Sequence, residues 1–126
     1  MPSLGKFDQL SATLATAENI NARRAQEESL LLLDGALLQF DTLSRQRMKD
    51  VIAGLTDART VVWRFADNTE REFTAQALKD LFERAERAIG ARVMAVFEIA
   101  QSLKAKVSAG ERVTLRDLDQ MANLTN

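Results

Sequence analysis

Apolar positions near the start of the chain recur at helical spacing. Phe7, Leu10, Leu14 and Ala17 step by three and four, while Ser11, Thr13 and Thr16 turn away from them. The pattern predicts a helix from Ser3 to about Glu28 with a narrow seam, closer to a docking or self-association helix than to one that lays a broad face on a core. After Asn19 the seam fades into Arg23, Arg24, Gln26, Glu27 and Glu28, as a solvated helix end would. From Leu30 to Phe40 the pattern changes. Asp34-Gly35 divides an apolar run and supplies the positive φ of a tight hairpin turn, which pairs Leu33 with Ala36, Leu32 with Leu37 and Leu31 with Leu38. Leu31, Leu33 and Leu38 then share one face and Leu30, Leu32 and Leu37 the other, so both faces are apolar. Such a hairpin is expected to be covered on both sides, by its own helices or by another chain.

Asp41 or Thr42 can cap a helix to about Leu55 whose apolar stripe is Met48, Val51, Ile52 and Leu55. Thr60 to Ala66 alternates, with Val61, Trp63 and Phe65 on one side. Asp67-Asn68-Thr69 makes a turn and Glu70 to Phe73 returns, giving a second hairpin. Thr74 then caps a run to about Ala109 that holds no proline and only Gly90 as a glycine. Roughly 35 helical residues span about 50 Å, long for so small a chain. Leu78, Phe82, Ala85, Ile89, Val93, Val96, Ala100, Leu103 and Val107 form one stripe, expected to cover the sheet. Leu81, Ala88, Ala95 and Ile99 flank it, expected to meet a second helix. Gly110 ends the run, and Thr114 with Asp117 begins a short helix carrying Leu115, Leu118 and Met121. The fold class is therefore α+β: two β-hairpins forming a small antiparallel sheet covered by helices, with an N-terminal amphipathic helix and one long helix in the C-terminal half. The segments are 1–28 for docking, 29–109 as the α+β domain, and 110–126 as a short helix and tail.

Composition narrows the chemistry. The 126 residues contain no cysteine and no histidine, which removes disulfides, thiolate nucleophiles and the commonest metal ligands, and leaves any catalysis to carboxylates, lysine or hydroxyls. A net charge of −1 gives no general reason to expect nucleic acid or an anionic membrane as partner. The longest apolar block, Leu30-Leu31-Leu32-Leu33, is far short of a membrane span, and Met1 to Ala17 does not read as a secretory leader. Asp67, Asn68, Thr69 and Glu70 read as turn chemistry, since a calcium loop needs more carboxylates and a glycine at the bend. Arg45, Arg47 and Lys49, and Arg84, Arg87 and Arg92, read as solvated faces with the pairs Asp80–Arg84 and Glu83–Arg87 rather than as phosphate sites. Trp63 reads as core. Glu83 and Glu86 give no sign of burial or opposed placement. No enzyme activity, cofactor or metal is expected.

Several groups of residues together carry a resemblance. They are Ile20-Asn21-Ala22 with the following arginines, the strand-turn ending Asp34-Gly35, Phe40-Asp41-Thr42-Leu43-Ser44 leading to Arg47, Trp63 with Ala66-Asp67-Asn68-Thr69, and Ser102-Leu103-Lys104. In this order they resemble an uncharacterised domain family of tailed phages and prophages, found in proteins associated with tail fibres or their assembly. Members often carry histidines along the late helix, where this chain has Arg92, Phe97 and Ile99, so no ligand role can be carried over there. The resemblance implies a location in the virion tail, or in the host cytoplasm during assembly. It implies tail fibre or baseplate proteins as partners, and a homo-oligomer, with a trimer the natural form because tail fibres are usually threefold. The expected function is that of a non-enzymatic structural protein acting through protein contacts, with a fibre-assembly chaperone and a small nucleic-acid-binding adaptor as alternatives. The interface candidates are Phe7, Leu10, Leu14, Ala17, Leu30, Leu32, Leu37, Leu81, Ala88, Ala95 and Ile99.

Overall fold

The structure, a computed structural model, describes residues 13–56 and 58–122. In chain order the elements are α1 (Ala17–Glu27), β1 (Leu30–Leu33), β2 (Ala36–Gln39), α2 (Thr42–Gly54), β3 (Thr60–Arg64), β4 (Glu70–Thr74), α3 (Ala75–Ser108) and a 3-10 helix (Leu115–Met121). The fold is α+β, with two antiparallel hairpins among helices. The residues fall into two compact units: a contiguous one, Ser29–Val93, and one that joins 13–28 to 94–122.

The contiguous unit is organised by its first turn. Asp34 and Gly35 both adopt positive φ (51° and 77°), the geometry that matches a two-residue hairpin to the twist of its strands. The register follows the sequence reading: Leu31 faces Leu38, Leu32 faces Leu37 and Leu33 faces Ala36. This alternation sends Leu31, Ala36 and Leu38 into a core with Phe40, Met48, Phe65, Leu78, Leu81, Phe82 and Ala85. Covering of the opposite face is partial, contrary to the expectation of a hairpin enclosed on both sides. Leu30 and Leu37 are half-buried and Leu32 is exposed. In the centre of the core Phe40 meets Phe82 edge to face, with ring centroids 5.6 Å apart.

Asp41 caps α2, accepting a hydrogen bond from the Ser44 backbone N–H at 2.7 Å, and Met48 is the residue of this helix that is wholly buried. The second hairpin pairs Val61 with Phe73 and Trp63 with Arg71. Its inward face, Val61, Trp63 and Phe73, packs against the core, while Val62 and its cross-strand partner Glu72 face outward. The two hairpins were expected to share one sheet, and they form two separate two-stranded sheets. The whole of α2 lies between β2 and β3 in sequence. One backbone hydrogen bond, from Ala66 N–H to the Leu37 carbonyl at 2.7 Å, links the hairpins in place of a ladder.

The second unit begins where a helix was expected. Residues 13–16 are not helical: Leu14 forms an antiparallel bridge with Thr114, in which Ala15 N–H donates to the Val113 carbonyl and Leu115 N–H to the Thr13 carbonyl, both at 2.8 Å. The helix starts only at Ala17 because Thr16 caps it. The Thr16 hydroxyl accepts from Asn19 N–H, while the Asn19 side-chain oxygen accepts from Thr16 N–H. The core here is Ala15, Ile20, Val96, Ala100, Leu103, Val113, Leu118 and Met121, with Ile99, Val107 and Leu115 packed on it.

The bounds of α3 match its sequence signals. The Thr74 hydroxyl accepts from Ala77 N–H at its start. At its end Gly110 takes φ of 79°, donating to Val107 while Glu111 donates to Lys106, the paired bonds of a Schellman motif. The helix continues through Gly90. Leu78, Phe82 and Ala85 of the long stripe serve the contiguous unit's core, and Val96, Ala100 and Leu103 serve the other.

Truncating Phe40 leaves a cavity between β2, α2 and α3. Phe40→Ala should lower unfolding stability by about 3–5 kcal/mol in denaturant titrations, whereas Leu43→Ala, at an exposed position, should change it by less than about 0.5 kcal/mol.

Candidate binding groove

A depression of the contiguous unit lies between α2 and the outer end of the second hairpin. It holds about 480 Å³ and is lined by Gln39, Ser44, Arg47, Trp63, Arg64, Phe65, Ala66 and Asn68. These residues come from separate stretches of chain, and three local devices bring them together. Asp41 anchors one wall: it accepts from Ser44 N–H and from the Gln39 side-chain amide (2.9 Å), which sets the first turn of α2 and the end of β2. The Ser44 N–H, and then the Gln39 amide, hold the Asp41 carboxyl below its ordinary pKa.

The opposite wall is the turn after β3. Phe65 N–H donates to the Thr69 carbonyl and Asn68 N–H to the Phe65 carbonyl, with Asn68 at φ of 67°. Asp67 closes the turn by accepting from the Thr69 hydroxyl (2.6 Å) and N–H (3.1 Å), and these two donors, the hydroxyl foremost, lower its pKa. That is turn chemistry, as the sequence suggests. The bond from Ala66 to Leu37 then fastens this wall to β2. Trp63 does more than fill the core: it is half-buried, packs against the core and also lines the groove. Arg64 is held across the strands by Glu70 at 3.0 Å.

A second polar cluster braces the first hairpin. Arg84 donates both Nη atoms to the Asp34 carboxylate, at 2.8 and 2.9 Å, and Arg71 donates to the Asp34 carbonyl at 2.9 Å while lying over the Phe65 ring. The Arg84 hydrogen bond, then its charge, lowers the Asp34 pKa. Sequence spacing had suggested Asp80–Arg84. Arg84 instead reaches the turn, and Asp80 accepts from Gln76. Arg45 similarly leaves its own helix to pair with Glu86 at 2.8 Å and stands over Phe40.

The interface candidates differ in where they lie and how exposed they are. Phe7 and Leu10 lie outside the described residues. Leu14 and Ala17 are both exposed but share no helix face, since Leu14 sits in the bridge to Thr114 and Ala17 opens α1. Leu81 is buried in the core of the contiguous unit and Ala88 packs on that core, so these flanking positions of α3 meet their own chain. Ile99 packs on the second core and Ala95 is half-buried. Leu30 and Leu37 are half-buried, and only Leu32 of the hairpin candidates is exposed. Farther along α3, Arg92 is buried, Ile99 packs inward and Phe97 is exposed.

The exposed large residues missed in the sequence are Leu43, Val62, Val93, Met94 and Phe97, and of these Val93 had been assigned to the stripe expected to cover the sheet. For Val62 the strand alternation was already a sign, because it points opposite to Val61 and Trp63. No group of three or more metal-ligating side chains converges among the described residues, and no helix among them is long and apolar enough to cross a membrane.

The Asp34 clasp has a definite pH signature. A lowered folded pKa means that its contribution is full above the ordinary value of 3.8 and is lost as pH falls through the lower folded value. Asn tolerates the same turn but carries no charge. The stability gap between the wild type and Asp34→Asn should therefore be constant near neutrality and close below pH 3.8 in acid titrations of unfolding. A gap that persists unchanged in acid would show that the charge of Asp34 is irrelevant.

A family model described as "Domain of unknown function (DUF4376)" matches residues 11–123. No curated protein and no solved structure matches the chain. The family match takes in both hairpins, α1 to α3 and the 3-10 helix. This chain belongs to the DUF4376 family.

Proposed function

We propose that this protein is a non-catalytic binding module of tailed phages that works through protein contacts near the tail fibre or baseplate. The observation that supports contact as its mode of action is apolar surface on regular elements in each unit. Leu32, Leu43 (73 % exposed) and Val62 stand out from the contiguous unit, and Met94 (65 % exposed) and Phe97 from the other. A side chain of this size contributes about 1.5–3 kcal/mol when fully buried, whereas an exposed ion pair contributes about 0–1 kcal/mol. Apolar contact with protein therefore outweighs what the charged faces can offer. The phage setting rests on the sequence resemblance, and the description of the family assigns no function. Homo-oligomerisation, with threefold symmetry suited to a tail fibre, belongs to the same reading.

Light scattering on the purified chain should give a multiple of 14.0 kDa, and Leu32→Asp or Phe97→Asp should lower it. A stable monomer at high concentration would remove self-association. Co-expression with neighbouring phage genes should yield a complex with a fibre or baseplate protein. Retention in purified particles identifies a virion component, and loss from mature particles identifies an assembly factor. Absence of any complex with tail proteins would overturn the reading.

A further inference from the structure

We propose that the groove beside Trp63 receives one carboxylate from an acidic, partly apolar segment of a partner protein, held by Arg47 and flanked by the indole ring. The inference deepens the protein-binding reading and rests on it.

Several arginines of this unit are already engaged. Arg45, Arg64 and Arg84 each hold a carboxylate, and Arg71 holds the Asp34 carbonyl. Arg47 lines the groove and is exposed, and no carboxylate among the described residues pairs with it. The lining includes two arginines and no acid. Because Glu70 already answers Arg64, Arg47 is the one lining cation left without an acid, while the Asp41 and Asp67 carboxylates of the walls are taken up by neutral donors. A single planar guanidinium matches a carboxylate, which it can grip with two parallel hydrogen bonds, better than a dianionic phosphate that calls for several free cations. Two neutral donors stand near it with no partner among the described residues, the Trp63 indole N–H and the Asn68 side-chain amide.

Trp63 and Phe65 add apolar lining beside these donors. A volume of about 480 Å³ lies within the roughly 300–1,000 Å³ of ordinary ligand sites. That is room for an acidic side chain and an adjoining apolar one, not for a folded surface. Packing fixes the walls through Asp41, the Asp67 turn and the Ala66–Leu37 bond, so the groove costs little ordering when it is filled.

The chain contains one tryptophan, and it stands in the groove, so its fluorescence and its single indole N–H resonance report directly on occupancy. The probes are acetyl-Phe-Glu-Phe-amide, the same peptide with Gln in place of Glu, glucuronate, and inorganic phosphate. The Glu peptide should shift the indole signal saturably and weaken as salt is raised. The Gln peptide, and the Glu peptide on Arg47→Gln, should each bind at least tenfold more weakly, while Arg87→Gln, a surface arginine outside the groove, should bind as the wild type does.

An indole signal that does not move, equal binding of the Glu and Gln peptides, or unchanged binding by Arg47→Gln would overturn the proposal. So would glucuronate or phosphate binding as tightly as the Glu peptide, since the groove would then recognise a small anion rather than a peptide. The complex with tail proteins is scored on the same Arg47→Gln variant. A complex that persists while the peptide fails sinks the groove alone. Peptide binding without any such complex sinks the broader reading instead.

Discussion

Each strand of the first hairpin is only four residues long, so sliding one past the other by a single residue would exchange the buried row Leu31, Ala36 and Leu38 for the row that includes Leu32 and Gln39. The constraint that prevents this is the pair of positive φ values at Asp34 and Gly35, braced from two sides by Arg84 and Arg71. Phe40 reaches Phe82, and Leu38 reaches the core, only in that register. The second hairpin depends on it as well. Its attachment through Ala66 requires the Leu37 carbonyl to point outward from β2, which the register decides.

The groove is a by-product of the same arrangement. Gln39 leaves β2, Asp41 turns the chain into α2, and the Asp67 turn approaches from β3, so polar side chains gather where three backbone segments change direction. Chain at such places has spare donors, because its hydrogen bonds are made by short-range side-chain contacts rather than by ladders. Arg47, one turn into α2, then finds neighbours that are neutral or already paired.

What could be read from the sequence was whatever residues decide locally. Asp34-Gly35, the caps at Asp41, Thr74 and Thr114, and the stop at Gly110 act within a few residues of themselves, and each element they bound is present. The error at the start of the chain has a physical origin. Leu14 and Ala17 keep helical spacing by coincidence, and the reciprocal bonds between Thr16 and Asn19 outweigh it, with Asn in the place where a capping box usually carries Glu or Gln. The bridge from Leu14 to Thr114 joins residues a hundred positions apart, and no local signal announces it. The groove was half legible. Ser44, Arg47, Trp63 and Asn68 all drew attention in the sequence, but their convergence depends on tertiary pairing, and Arg84 choosing Asp34 over Asp80 depends on it equally.

That bridge has a bearing on the order of events during synthesis. Every residue of the Ser29–Val93 unit is available once that stretch has left the ribosome, and its contacts close over short and middling distances along the chain. Ala15 and Ile20 are translated earlier, and among the described residues the core they join is completed only when Val96, Val113 and Leu118 follow them. A stretch made before the Ser29–Val93 unit is thus sheltered after it, and for the whole interval Ala15 and Ile20 are open to whatever nascent-chain binder the cell provides.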